Sequence, residues 1–236
     1  MASTFKNKKI IIAGASSGIG LATALQLSDE QAIVTVTGRN AGKLKAAEER
    51  GLHIAAVDSS RRTELDDFFK TQGKFDHLVI ALGSSKGLGN FAEASIDDIR
   101  QGFEEKYWSH LNTVQASIPY LQEGGSITLI TAITATAKMP GTSGIGAANG
   151  ALEIMVPIWA KELKQFRINA VSPGVIDTPW WDFLPEETRR QAFAQYATQI
   201  PLGRVGRADE VAGVILFLMG NEYMTGKVVG CDGGMA

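Results

Sequence analysis

The stretch Lys8-Lys9-Ile10-Ile11-Ile12-Ala13-Gly14-Ala15-Ser16-Ser17-Gly18-Ile19-Gly20-Leu21-Ala22 decides the fold. Its apolar run reads as a buried parallel strand, Gly14, Gly18 and Gly20 punctuate a turn, and the residues that follow open a helix expected over Gly18 to Asp29. Glycines in such a turn let the backbone approach a ligand with no Cβ in the way. The helix N-terminus adds unpaired N–H groups and a partial positive charge, which together suit a phosphate. The alternative is a strand-to-helix loop whose glycines serve tight packing alone.

Two other motif readings fail. Gly14-Ala15-Ser16-Ser17-Gly18 fits the nucleophile-elbow pattern, but that elbow needs earlier strands to supply an oxyanion loop, and only thirteen residues precede it. The phosphate-loop pattern lacks its Gly-Lys-Ser/Thr.

Outward from this stretch, strands and helices alternate. Strands are expected at Ala32 to Thr37, His53 to Asp58, His77 to Ala81, Ser126 to Ile130, Arg167 to Val171 and Val228 to Cys231. Helices are expected at Lys43 to Arg50, Thr63 to Thr71, Ile96 to Leu121, Gly146 to Lys164, Glu186 to Thr198 and Asp209 to Met219. The alternation implies right-handed crossovers and an α/β, doubly wound (Rossmann-type) parallel sheet of about seven strands, with helices on both faces and ligands at the carboxyl ends of the strands. Pro157 falls inside a predicted helix, where it removes one hydrogen bond and costs about 3 kcal/mol unless the helix kinks.

With 236 residues, no linker and no low-complexity segment, one domain over 1–236 is expected. The net charge of −2, with both signs interspersed, supports neither a nucleic-acid nor a membrane partner and leaves a small-molecule substrate. One cysteine, Cys231, and three scattered histidines give no disulfide and no metal-ligand cluster. The N-terminal Met1-Ala2-Ser3-Thr4-Phe5-Lys6 has no signal-peptide apolar core, so a cytoplasmic location is expected.

The chain resembles the short-chain dehydrogenase/reductase family. The resemblance is carried by Gly14-Ala15-Ser16-Ser17-Gly18-Ile19-Gly20, by Val57-Asp58, by Arg167-Ile168-Asn169-Ala170-Val171-Ser172-Pro173-Gly174-Val175-Ile176-Asp177-Thr178-Pro179, and by Met224-Thr225-Gly226-Lys227-Val228-Val229-Gly230-Cys231-Asp232-Gly233-Gly234. It implies a dinucleotide with its diphosphate on the turn formed by Gly14, Ser16, Ser17, Gly18, Ile19 and Gly20, and its adenine beside Asp58 and Ser59. Gly83 would lie near the ribose, and Ile176 and Thr178 near the nicotinamide amide, with Pro173 and Gly174 completing the set. Arg39 follows the second strand and has the charge to pair with a 2′-phosphate, which predicts NADP(H) over NAD(H); the other reading makes it a solvated turn residue. The usual Asn-Ala-Gly after the fourth strand stands here as Ala81-Leu82-Gly83.

The resemblance breaks at the catalytic positions. The family ordinarily uses a tyrosine proton donor, a lysine four residues later, a serine about thirteen residues before the tyrosine, and an upstream asparagine. Aligned on Ala151-Leu152-Glu153, these positions fall on Ile145, Asn149, Ala132 and Lys106. No tyrosine occurs between Tyr120 and Tyr196, so no small shift restores the motif, and Tyr223-Met224-Thr225-Gly226-Lys227 lies too far along the chain.

Three readings follow: hydride transfer to a substrate that needs no strong acid, such as an iminium ion or a conjugated acceptor; chemistry other than redox; or NADP(H) binding without turnover, as a sensor or partner subunit. Lys106 and Asn149 are the candidate catalytic groups. Lys106 either reaches the site with a lowered pKa or pairs at the surface with Glu104 or Glu105. Thr131, Thr134 and Ser143 are further polar candidates, His110 is a base or a packing residue, and Trp180 and Trp181 form a lid or pack in the core. By resemblance a homotetramer or homodimer is expected, with Leu152, Met155, Ile158 and Trp159 available to bury.

Overall fold

Ile10 and Ile12 alternate with Ile11 and Ala13 along β1 (Lys9–Ala13), and all four are buried because the strand is covered on both faces. Ile10 and Ile12 pack with Leu27, Val36, Ile215 and Leu218 on one side of the sheet. Ile11 and Ala13 pack with Phe69, Val114 and Leu152 on the other. The computed structural model describes residues 4–236; Met1, Ala2 and Ser3 of the N-terminal stretch lie outside the described residues.

After β1 come α1 (Gly18–Asp29), β2 (Ile33–Gly38), α2 (Ala41–Glu48), β3 (His53–Ala56), α3 (Arg62–Gln72) and β4 (Phe75–Ile80). The second half runs α4 (Ile96–Phe103), a π turn (Glu104–Trp108), α5 (Ser109–Ser117), β5 (Leu121–Ile130), α6 (Ser143–Glu162), β6 (Arg167–Pro173) and β7 (Ile176–Asp177). It closes with a short helical turn (Pro179–Phe183), α7 (Glu186–Gln199), β8 (Gly206–Arg207), α8 (Ala208–Gly220) and β9 (Val228–Cys231). Seven strands form one parallel sheet in the order β3-β2-β1-β4-β5-β6-β9, and β7 pairs with β8. The order reverses between β1 and β4, so the carboxyl ends of those two strands flank the crevice where doubly wound sheets bind ligands.

The structure departs from the sequence expectations at three places. The helix expected from Ile96 to Leu121 is two helices joined by a π turn, in which the Ser109 hydroxyl donates to the Glu104 carbonyl at 2.9 Å. Residues Leu121 to Gly125, expected to lie before the strand, already belong to β5, with a register shift against β4 between Phe75 and His77. Finally, α6 begins at Ser143 and continues through Pro157. Among the described residues no helix is long and apolar enough to cross a membrane.

Candidate active site

The glycine turn is set by backbone geometry. Gly14 has φ +84°, and a Cβ built on it would lie 2.7 Å from the Ala81 carbonyl oxygen; one built on Gly20 would lie 2.5 Å from that of Gly14. The Gly14 N–H donates to Thr37 O at 2.9 Å, which draws the turn against the end of β2. α1 then starts without a side-chain cap and without an acidic residue in its first turn, leaving its positive end uncompensated.

Beside this turn opens a cavity of about 1070 Å³. All the residues expected to meet a cofactor line it: Gly14, Ser16, Ser17, Gly18, Ile19, Gly20, Arg39, Asp58, Ser59, Gly83, Pro173, Gly174, Ile176 and Thr178. Lys106, Asn149, Ala132 and Ile145 line it too. At one end Arg39 and Lys43 are both exposed and make no salt bridge within 4 Å among the described residues, with Arg39 acting on Asp58 at longer range. Sequence reading missed Lys43, although its spacing of four from Arg39 was visible. Asp58 is tied to the Ser60 hydroxyl at 2.8 Å. Burial alone would raise its pKa, but the Ser60 N–H and hydroxyl, with Arg39 and Arg61, bring it below the usual carboxylate value.

Lys106 does not pair at the surface. The π turn carries its side chain inward to 8 % exposure, and Nζ donates to Leu82 O at 2.9 Å and Ile130 O at 2.7 Å, joining the ends of β4 and β5. Burial lowers its pKa to about 7, against the opposing pull of Glu153, whose carboxylate accepts from the Thr131 and Ser172 hydroxyls. One turn on, His110 is fully buried, with Nδ1 donating to Lys106 O at 2.7 Å. It packs beneath the cavity and is absent from its lining.

Asn149 uses both amide hydrogens, on Thr134 Oγ1 at 3.2 Å and Ile145 O at 2.9 Å. Its Oδ1 is buried and has no donor. Thr131 and Thr134 line the cavity, whereas Ser143 faces a neighbouring hollow instead. Trp180 and Trp181 line the cavity while packing with Phe183, their own rings perpendicular at 4.9 Å, and Trp180 Nε1 donates to Ser84 O at 3.2 Å. Tyr196 of α7 also lines it, tilted on Trp181 at 6.0 Å. Tyr223 is 99 % exposed before β9, which removes its motif from the site. Among the described residues no group of three His, Cys, Asp or Glu side chains is placed to hold a metal ion.

A doubly wound sheet with a glycine turn at its switch point and one cavity running from that turn past β4, β5 and β6 defines a dinucleotide-type α/β oxidoreductase fold. Residues 14–236 match the family model described as enoyl-(acyl carrier protein) reductase, and the chain belongs to the short-chain dehydrogenase/reductase family of oxidoreductases. It is 32 % identical to the 3-oxoacyl-(acyl-carrier-protein) reductase FabG of Thermotoga maritima, over 98 % of each chain. A small-chain dehydrogenase solved in complex with NADPH superposes with a TM-score of 0.86 at 30 % identity, covering 98 % of this chain and 99 % of that one. A short-chain dehydrogenase/reductase from Brucella melitensis gives 0.92 at 27 % identity, covering 100 % and 99 %.

Proposed function

We propose that the chain is a single-domain, atypical NADP(H)-dependent oxidoreductase that transfers a hydride to a small organic substrate without a tyrosine acid. One observation carries this reading: a single cavity joins the glycine turn, with Arg39 and Lys43 exposed at one end, to a floor where Lys106 and Asn149 stand and Ala132 and Ile145 are apolar. The fit to a dinucleotide rests on the turn itself: Gly14 and Gly20 let it pack against the Ala81 and Gly14 backbone, which holds the uncapped α1 N-terminus at the cavity. When bound, the nicotinamide supplies the hydride.

The chain's own residues would do the rest. The α1 N-terminus and the glycine turn hold the diphosphate, Arg39 with Lys43 takes the 2′-phosphate, and Pro173, Gly174, Ile176 and Thr178 orient the nicotinamide end. Trp180 and Trp181 exclude water. Lys106 fixes the floor, and its lowered pKa lets its amine lose or regain a proton near neutrality. Because Nζ is already spent on two carbonyls, cofactor binding without turnover is the second reading. We further propose a homodimer or homotetramer. Leu152 is buried within the subunit core and Met155 and Trp159 are half-buried, so the face left for association is Ile154 and Ile158 of α6 with Trp108, all exposed.

Arg39→Ala is expected to lower the preference for NADPH over NADH by roughly 10- to 100-fold, the value of a charge-assisted phosphate contact. Titration of the protein with both cofactors, followed by tryptophan quenching, reads it; an unchanged preference would remove the assignment of Arg39. The triple variant Ala132→Ser, Ile145→Tyr, Asn149→Lys tests the missing acid. It should gain reduction of simple ketones by about 10²- to 10⁴-fold over the parent. A variant that folds and binds NADPH yet gains nothing would show that more than the acid separates this pocket from ketone reduction.

A further inference from the structure

The substrate end of the cavity has more negative charge than its cations compensate. Lys86 is engaged by Asp98 at 3.3 Å, Asp182 by Arg189, and Lys106 is turned into two carbonyls with Glu153 nearby. Glu104 and Glu105 remain, and among the described residues neither is ion-paired. Glu105 is half-buried and aligned by two neutral donors, the Ser84 hydroxyl at 2.7 Å and the Gln101 amide at 2.9 Å. Ser84 also ties this carboxylate to the lid, since its carbonyl accepts from Trp180 Nε1. A carboxylate set by neutral donors, beside perpendicular indoles whose faces attract cations, is built for a positive charge.

Asn149, only 5 % exposed, lines the same cavity, but its Oδ1 is sealed from solvent and its two hydrogens are used within the protein, so it opposes no charge to a cation there.

We propose that the substrate is a cationic C=N compound, a protonated cyclic imine or iminium ion, held by Glu105 and the Trp180–Trp181 faces. The proposal rests on the hydride-transfer reading above and names its substrate class. The electron balance suits the residues present. A hydride supplied with its electron pair by reduced nicotinamide adds to the carbon, the π pair moves to nitrogen, the positive charge is quenched, and a neutral amine results. No proton is donated by the protein, so a floor without a tyrosine is no handicap.

The test compares a cation with a neutral bicycle of similar shape. Wild-type protein and Glu105→Gln are assayed with NADPH against dihydroisoquinolinium, tetralone and cyclohexenone. Separately, calorimetry measures binding of the product amine tetrahydroisoquinoline, protonated by the solvent to its ammonium form, to the NADP⁺-loaded protein, a readout that needs no turnover. Wild type should prefer the iminium by roughly 100-fold or more in kcat/KM, and Glu105→Gln should weaken both iminium KM and amine Kd by about 10-fold or more. Its NADPH affinity should be unchanged, which also shows that the variant is folded. Preference for tetralone or cyclohexenone, or a Glu105→Gln variant with unaltered amine binding, would overturn the proposal while leaving hydride transfer standing. A variant that shifts only the ratio of NADP⁺ to NADPH affinity would likewise overturn it, assigning Glu105 to the charged nicotinamide ring. Failure of wild type to bind NADPH would instead sink the oxidoreductase reading, on which this one rests.

Discussion

Gly20→Ala is expected to weaken NADPH binding by about 100-fold or more, equivalent to roughly 3 kcal/mol, and to lower folding stability by roughly 1–3 kcal/mol. The new Cβ would meet Gly14 O at 2.5 Å and Ala15 Cα at 2.9 Å, both backbone atoms that no rotamer change can move aside. Relief requires α1 to move away from the turn, and the turn is pinned to β2 through Gly14 N–H and Thr37 O. The same motion displaces the helix N-terminus from any phosphate it was holding. Gly14→Ala adds a second cost, since its φ of +84° is a region that L side chains rarely adopt. Urea denaturation and cofactor titration on the same sample separate the two effects. A Gly20→Ala protein that is destabilised but binds NADPH as tightly as its parent would detach the glycine turn from cofactor binding.

The second large effect is loss of stability in mild acid. His77 is buried on β4, its Nδ1 2.8 Å from Ser126 Oγ and its ring edge-on to Phe5. Burial lowers its pKa from 6.5 to about 4, with Arg167 and Lys8 adding to the effect and Asp76 opposing it. Burial, with the charge of Lys106, takes His110 from 6.5 to about 3. A base with a depressed folded pKa takes its proton more readily in the unfolded chain. Stability is therefore complete above pH 6.5 and falls as the pH drops from there toward about 4 for His77 and about 3 for His110. The contributions are on the order of 3 kcal/mol for His77 and about 5 kcal/mol for His110, a large part of the stability of a typical domain. Equilibrium unfolding across this range should show the slope, and His77→Gln should remove about 3 kcal/mol of it. A pH-independent midpoint between neutrality and pH 4 would contradict the buried neutral state.

Much of this architecture was legible because its signals are local. An unbroken β-branched or aliphatic run between a helix end and a glycine marks a strand buried on both faces, and most predicted boundaries fall within one or two residues of the observed ones. β5 was one exception. Its first half, Leu121-Gln122-Glu123-Gly124-Gly125, has the composition of a turn, and only its neighbours make it a strand. Gly125 is needed there because a Cβ would come within 2.4 Å of Asp76 O, a contact between strands that no single stretch of sequence shows. The π turn was hidden for a related reason: one extra residue per turn leaves the composition of the helix untouched and alters only where its side chains point.

The site divided along the same line. The glycine turn is a continuous motif legible from its own residues, and the segment from Pro173 to Thr178 is a continuous motif assigned through the family resemblance; both line the cavity. Lys106 and Asn149 were reached only through an alignment with a family whose residues they do not share, and their surroundings needed coordinates. Glu105 was considered only as a surface partner for Lys106. Its contacts with Ser84 and Gln101, which make it a candidate ligand group, link the loop after β4 to the helix that carries it.

The bonds from Lys106 Nζ to Leu82 O and Ile130 O also bear on how the cavity responds to its contents. One amine clasps the tips of adjacent strands at the seam that a ligand would otherwise have to draw together. The floor therefore arrives in its working shape before anything binds, and the entropy of fixing it is lost during folding. Adaptation of shape to different guests is left to the short helical turn carrying Trp180 and Trp181, while the proposed choice of charge stays with Glu105 beside the clasp.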